Sequence, residues 1–170
     1  AGQVDLFLAE TIPSVREGRA AVQAAKASGK PVLLSFSLSD KVPGGLRSGA
    51  SVSVALRMAE EEGPDALLFN CSCPEAITEG MAYVRRQQNL PYGGYANAFT
   101  SVDALQPGGT VDALQARTDL GAKAYAKHAM RWVRDGATIV GGCCEVGPGH
   151  IAWLRDELRG AGYVPGGFLA

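Results

Sequence analysis

The sequence predicts an α/β fold in which helices cover a parallel sheet. Short apolar segments alternate with segments of helical pattern along the 170 residues, as expected of consecutive strand–helix units. The apolar segments are nearly continuous, which is typical of strands that are buried on both faces. Polar residues follow these segments, and polar groups at the carboxyl ends of parallel strands are typical of the catalytic face of a β/α barrel.

Five strand–helix units can be identified in order along the chain. The strands are predicted at residues 4–9, 31–36, 66–69, 92–96 and 137–140. The helices are predicted to follow Ser14 and Ser51 and to start near Pro74, Thr118 and His150. Ser14 and Glu17 fit a capping box, and proline is favoured at a first helical position. Five units are too few to close an eight-stranded barrel of about 250 residues.

Composition and charge exclude several classes of partner. The formal net charge is −1 and no basic run is present, so neither nucleic acid nor an anionic membrane is expected to bind. No apolar stretch approaches the roughly 18 residues of a membrane span, and no signal-peptide pattern is visible. Four cysteines in a chain of this length do not make a disulfide scaffold. The expected compartment is the cytoplasm.

Three thiols follow predicted strands and indicate a metal site. Cys71 comes just after the third strand, and Gly141-Gly142-Cys143-Cys144 follows the fifth. Because the carboxyl ends of parallel strands lie on one face, these cysteines are expected to meet there. Three thiolate ligands that leave the fourth coordination position of the zinc open are typical of a catalytic zinc site, whereas a structural site has four protein ligands. Cys73 is interpreted as a small residue that opens a helix.

These segments resemble the homocysteine S-methyltransferase family, whose members are zinc-dependent β/α barrels. The resemblance rests on Asn70-Cys71 and on Gly141-Gly142-Cys143-Cys144, with support from residues 9–14, 97–98 and 147–151. It runs nearly end to end and in the family's order. By this resemblance the five strands correspond to strands four to eight. The chain is then the C-terminal portion of a (β/α)8 TIM-type barrel, with a homocysteine-binding segment at 1–160 and a flexible tail at 161–170.

The resemblance implies a function and roles for individual residues. It implies Zn²⁺ held by Cys71, Cys143 and Cys144, and transfer of a methyl group to a thiol. The expected substrate is homocysteine, giving methionine, with a donor of the sulfonium, betaine or folate type. Glu10, at a strand end, is expected to bind the substrate ammonium, and Asn70 and Asn97 are expected to contact the substrate.

Three departures from the family pattern are visible. The family's first three strands, with an acidic-glycine loop that helps bind the substrate, are absent from these 170 residues. Glu145 and Phe99 stand where the family commonly has glycine. The resemblance therefore implies an N-terminal barrel segment, or a second copy of the chain, as a partner.

Three alternatives remain beside the methyltransferase interpretation. The first is a non-catalytic zinc-binding barrel fragment that needs a partner segment. The second is a phosphate-binding or aldolase-type barrel, although all five lysines lie outside the predicted strands. The third is a redox thiol protein, although no C-x-x-C motif is present.

Overall fold

The computed structural model describes residues 3–87, 90–102, 105 and 108–167. Strands and helices alternate through this part of the chain, with one short 3-10 turn at Val111–Ala113. The elements are β1 (Phe7–Ile12), α1 (Val15–Lys26), β2 (Val32–Phe36), α2 (Val52–Glu62), β3 (Ala66–Asn70), α3 (Pro74–Gln87), β4 (Tyr92–Tyr95), α4 (Ala122–Arg134), β5 (Ile139–Val140) and α5 (Pro148–Gly160).

The five strands form one parallel sheet in the order β1-β2-β3-β4-β5. Each strand pairs with its sequence neighbour, for example Leu34 with Leu67 and Gly94 with Val140. β1 and β5 are therefore the two edges of the sheet in the described part of the chain. Consecutive parallel strands joined by helices are the arrangement that the sequence predicts, and the prediction of an α/β fold is confirmed.

The two faces of the sheet are packed differently. The larger core joins helix residues to strand residues such as Leu34, Phe36 and Phe69, so the helices lie on this outer face. The second cluster contains Leu33, Ala66 and Leu68, with no helical member. Helices on one face and strand side chains alone on the other are the two layers of a β/α barrel wall.

The local signals for the helices act as predicted. The Ser14 hydroxyl accepts a hydrogen bond from Glu17 N–H at 3.3 Å, which caps α1. α2 ends at Glu62, and the next residue, Gly63, adopts a left-handed φ of 61°, which glycine can adopt without a steric penalty. Pro74 is the first residue of α3, a position whose backbone N–H makes no hydrogen bond within the helix, so proline is tolerated there.

Among the described residues, every helix is too short or too polar to span a membrane.

The predicted boundaries of the two edge strands are wrong. β1 spans Phe7–Ile12, so Glu10 and Thr11 lie inside the strand and not after it. An edge strand tolerates these polar residues because one side of its backbone and part of its side chains face solvent. β5 contains only Ile139 and Val140, because the N–H of Ala137 is bonded to the Trp132 carbonyl at the end of α4.

Two helices and the C-terminal segment also differ from prediction. α4 begins at Ala122 and not at Thr118, because its N-cap residue is Gly121, whose backbone is extended. α5 begins at Pro148, two residues before His150. Residues 161–167 contain no helix or strand, and 163–167 line a cavity beside Leu33 and Ile139. Residues 1–2 and 168–170 lie outside the described residues, and the division into a barrel segment and a flexible tail stays a prediction.

Candidate metal centre

Cys71 is the first residue after β3 and has an unusual backbone. Its φ is 49°, in the left-handed region that residues with a side chain rarely adopt. Its N–H donates to the Tyr95 carbonyl at 3.4 Å, and Arg47 Nη2 donates to the Cys71 carbonyl at 2.9 Å. The turn that carries this thiol is therefore held by β4 on one side and by the loop after β2 on the other.

The adjacent thiols of Cys143 and Cys144 are held against the segment that follows β4. Cys143 N–H donates to the Ala96 carbonyl at 2.9 Å, and the Cys144 carbonyl accepts from Ala98 N–H at 2.9 Å. A Cβ atom on Gly142 would lie 2.2 Å from Val146 Cγ1, so the turn needs glycine there. These contacts bring the end of β5 towards the end of β3.

The three sulfur atoms form one cluster, as the sequence predicts. All three Sγ atoms lie within 4.8 Å of one another, and Cys143 and Cys144 are 3.8 Å apart. Tetrahedral zinc with Zn–S bonds near 2.3 Å places its sulfur ligands about 3.8 Å apart. Each thiol is half-buried, so a small metal ion and a substrate can reach it. The donor set and its spacing fit zinc.

The thiols of the cluster differ in proton affinity. The pKa of Cys71 is lowered, first by its hydrogen bond with Cys143 and less strongly by Arg47 and the amide of Asn97. The same bond raises the pKa of Cys143, and burial raises the pKa of Cys144. Because a thiol loses its proton when it binds a metal, metal binding is expected to release protons from the cluster.

Cys73 is not a member of the cluster. Its Sγ accepts a hydrogen bond from Ala76 N–H at 3.5 Å in the first turn of α3. Its own N–H donates to Asp40 Oδ1 at 2.9 Å. Burial raises the pKa of this thiol to about 12, as expected of an inert structural cysteine. Cys73 therefore opens a helix, as the sequence predicts.

Glu10 lies on the same face of the sheet as the thiol cluster, and Tyr95 lies between them. The Tyr95 hydroxyl donates to Glu10 Oε2 at 3.2 Å, and its phenol ring lies near enough to Cys143 for the two groups to interact electrostatically. The Glu10 side chain is exposed and is available to a ligand. Binding of a substrate ammonium by Glu10 stays a prediction.

Asn70 is completely buried and bonded to the protein. Its Oδ1 accepts from Thr11 N–H at 2.9 Å and from the Ser35 hydroxyl at 2.8 Å. Its Nδ2 donates to the Thr11 hydroxyl at 2.8 Å. The side chain thus joins the ends of β1, β2 and β3. The structure assigns it a supporting position, and a direct substrate contact stays a prediction.

Asn97 is also buried, but its amide is only partly used. Its Oδ1 accepts from Phe99 N–H at 3.2 Å. Its Nδ2 has no hydrogen-bond partner within normal distance in the described part of the chain. The Asn97 amide lies beside the Cys71 thiol and is a minor cause of the lowered pKa of that thiol. Asn97 therefore carries a spare donor beside the cluster.

Three further residues at the site were not predicted from the sequence. Arg47 holds the Cys71 carbonyl, Tyr95 holds Glu10, and the Tyr125 hydroxyl donates to the Gly141 carbonyl at 2.7 Å. Tyr95 is the second-last residue of the strand predicted at residues 92–96, and this position was the one available signal. Glu145 has a left-handed φ of 64°, which explains why glycine is common at this position in the family that the sequence resembles.

Comparisons with known proteins identify the family that the chain matches. A family model described as homocysteine S-methyltransferase matches residues 1–158. Homocysteine S-methyltransferase 1 of Zea mays is 28% identical over 158 residues, which are 92% of this chain and 47% of that protein. Selenocysteine methyltransferase of Astragalus bisulcatus is 24% identical over 161 residues, or 91% of this chain and 45% of that protein.

Solved structures show the same fold. The apo form of the homocysteine methyltransferase MmuM from Escherichia coli matches with a TM-score of 0.69 at 23% identity. The match covers 91% of this chain and 49% of that one. The metallated form of the same enzyme gives a TM-score of 0.70. This chain thus spans about half the length of the relatives that it matches, and its sheet corresponds to part of a β/α barrel. Because the family model covers residues 1–158, the chain belongs to the homocysteine S-methyltransferase family.

Proposed function

We propose that this chain carries the thiol-activating part of a zinc-dependent methyltransferase that converts homocysteine to methionine. The observation that carries the proposal is the cluster of Cys71, Cys143 and Cys144, with sulfur atoms within 4.8 Å of one another, in a chain of this family. A related enzyme from Escherichia coli has been solved in a metallated form, which supports a metal at the same kind of site. These findings favour catalysis over a zinc-binding segment without activity and over a phosphate-binding or aldolase-type barrel.

The three cysteine thiolates are the residues that would hold the ion. Zinc supplies one thing when bound: it keeps a substrate thiol in the thiolate form at neutral pH, where a free thiol with pKa near 8.5 is mostly protonated. During transfer, the substrate sulfur forms a bond to the methyl carbon as the donor's bond to that carbon breaks. The electron pair of the broken bond stays on the donor atom, and the thiol proton leaves to solvent.

The remaining site residues bind and orient the substrate. The exposed carboxylate of Glu10 accepts hydrogen bonds from the homocysteine ammonium and so fixes the end of the molecule opposite its thiol. The spare amide donor of Asn97 contributes a hydrogen bond to the substrate next to Cys71. Asn70 keeps the three strand ends in place. Holding both ends of the thiol substrate supplies much of the rate enhancement expected of such a site.

The methyl donor and the partner are also part of the proposal. The donor is an electrophilic methyl compound of the sulfonium, betaine or folate type. An N-terminal barrel segment or a second copy of the chain completes the walls around the open edges β1 and β5. A cytoplasmic location and a place in methionine biosynthesis stay predictions.

Zinc content and methionine formation test the proposal together. The chain is expected to bind one zinc per molecule. It is expected to form methionine from homocysteine and one of the three donor types when an N-terminal barrel segment or a second copy completes the barrel wall, and to have little activity alone. Cys71→Ala, Cys143→Ala and Cys144→Ala should each lose tight zinc binding and activity. Cys73→Ala is the matched control and should keep both, because its sulfur lies outside the cluster. Zinc binding that survives Cys71→Ala and Cys143→Ala together would contradict the proposal.

Homocysteine binding tests the role of Glu10. A hydrogen bond to a charged group is worth roughly 1.5–3 kcal/mol, so Glu10→Gln should weaken homocysteine binding about 10- to 150-fold. Zinc content should not change, because Glu10 is not a ligand. Isothermal titration calorimetry of the zinc-loaded protein measures the dissociation constant. An effect below about twofold would make Glu10 an ordinary solvated carboxylate.

A further inference from the structure

Tyr95 links the two ends of the proposed substrate site. It is the last residue of β4, and its hydroxyl donates to Glu10 Oε2 on β1 at 3.2 Å. Its ring packs against the inner cluster of Leu33, Ala66 and Leu68 on the intervening strands. One side chain therefore crosses the inner face of the sheet from β4 to β1.

The phenol of Tyr95 is the donor in its hydrogen bond with Glu10. A protonated phenol donates one hydrogen bond, and a carboxylate oxygen is a strong acceptor. Within the described residues, Tyr95 is the one hydrogen-bond partner found for the Glu10 carboxylate.

We propose that Tyr95 is a positioning residue for substrate binding: it holds one carboxylate oxygen of Glu10 so that the other accepts the ammonium of an amino-acid thiol. This inference rests on the proposed function, because it assumes that Glu10 binds the substrate ammonium. Without the bond from Tyr95, the exposed Glu10 side chain would sample several rotamers, and ordering it would cost part of the binding free energy.

The backbone of Tyr95 makes a second, separate contribution. Its carbonyl accepts the N–H of Cys71 at 3.4 Å, and β3 pairs Asn70 with Tyr95. Tyr95 thus contacts Glu10 through its side chain and the turn of Cys71 through its main chain. Replacing the residue by phenylalanine removes the first contact and keeps the second, so Tyr95→Phe isolates the effect on Glu10.

Two thiols and four variants provide the test. The thiols are homocysteine and 4-mercaptobutyrate, which has the same thiol and carboxylate but lacks the ammonium group. The variants are Tyr95→Phe, Glu10→Gln, the double variant of both, and Tyr92→Phe as the matched control. Tyr92 lies on the same strand, and its hydroxyl donates to the Asp135 carbonyl away from the thiols. Calorimetry on each zinc-loaded protein gives the dissociation constants, and metal analysis gives the zinc content.

The proposal predicts a pattern that a merely structural role would not give. Tyr95→Phe should weaken homocysteine binding about 3- to 10-fold, since a typical hydrogen bond is lost, and should leave 4-mercaptobutyrate binding and zinc content unchanged. In the Glu10→Gln background, Tyr95→Phe should have no further effect, because coupled residues are not additive. Tyr92→Phe should bind both thiols as the unmodified chain does.

Other outcomes separate this inference from the proposed function. Equal weakening for both thiols, or an undiminished effect of Tyr95→Phe in the Glu10→Gln background, would overturn the positioning role. A large effect of Glu10→Gln together with no effect of Tyr95→Phe would overturn the positioning role and leave the proposed function standing. Failure of Glu10→Gln to weaken homocysteine binding would overturn the role of Glu10 and this inference together.

Discussion

Asn70 is the last residue of β3 and Asn97 lies two residues after β4. Both side chains carry an amide, but the protein uses the two amides differently. Asn70 makes three hydrogen bonds, to Thr11 and Ser35, and is completely buried. The side-chain oxygen of Asn97 accepts one hydrogen bond, and its side-chain nitrogen has no partner in the described part of the chain. At the scale of single residues, Asn70 supports the site and Asn97 remains available to a ligand.

This difference predicts opposite effects of truncation. Asn70→Ala leaves the Thr11 N–H and the Ser35 hydroxyl without their acceptor, and should lower the free energy of unfolding by about 2–4 kcal/mol. Asn97→Ala removes one used hydrogen bond and should cost about 1 kcal/mol, but it should weaken homocysteine binding. Urea unfolding of the metal-free proteins and calorimetry of the zinc-loaded ones measure the two effects. Equal losses of stability would mean that Asn70 is not the main support.

The sequence predicts the reactive residues of the site better than the residues that hold them in position. The three thiols were predictable because cysteine chemistry is specific and because all parallel strands end on one face. The partners of Asn70 lie 59 and 35 residues away in the sequence, and no local pattern reports such contacts. The contacts of Tyr95 and Arg47 depend on where their side chains point, and tertiary packing sets that direction.

At the scale of elements, β4 is the strand that brings the two parts of the thiol cluster together. Its central residues are Gly93 and Gly94. A Cβ atom on Gly93 would lie 1.7 Å from the Ile139 carbonyl oxygen, so the side chain of any other residue would force β5 away. β5 has only two residues in the ladder and leads directly to Cys143 and Cys144. The close approach of these two strands therefore sets the position of two of the three sulfur atoms.

Gly93→Ala tests this dependence. The added methyl group collides with backbone that has no flexible side chain to move aside, and should destabilise the fold by about 3 kcal/mol or more. Because Cys143 and Cys144 shift relative to Cys71, zinc affinity should fall as well. Gly149→Ala in α5 is the control, since a Cβ atom there meets nothing within 4 Å. Thermal unfolding and a competition assay with a zinc chelator provide the measurements. Unchanged zinc affinity in a folded Gly93→Ala protein would contradict this account.

The order of the elements was predictable, and several of their ends were not. The alternation of strands and helices could be predicted because buried positions carry apolar residues, and the spacing of apolar residues is visible in the sequence. The length of β1 depends on pairing with β2 across a bulge between Ala9 and Ile12. α4 starts where the Gly121 carbonyl accepts the N–H of Tyr125, and the start of β5 depends on a backbone hydrogen bond of Ala137. These contacts form only after the chain has folded.

At the scale of the whole molecule, the sheet is a barrel wall with two edges. β1 and β5 each have one neighbour in the described residues, whereas every strand of a closed barrel has two. The inner face carries the cluster of Leu33, Ala66 and Leu68, and Leu8 beside it on β1 is 41% exposed. An exposed strand edge next to apolar side chains is a surface on which another chain can add a strand.

We therefore predict that the 170-residue chain, produced alone, associates with itself through β1. Leu8→Lys places a charge on this edge, next to the inner face, and should shift the protein towards the monomer. Val54→Lys is the matched control, because Val54 is 38% exposed on α2 and lies away from the edges. Size-exclusion chromatography with light scattering over a concentration series measures the masses. If Leu8→Lys and Val54→Lys reduce association equally, the contacts are non-specific. A stable monomer at all concentrations would mean that the edge at β1 is protected within the chain itself.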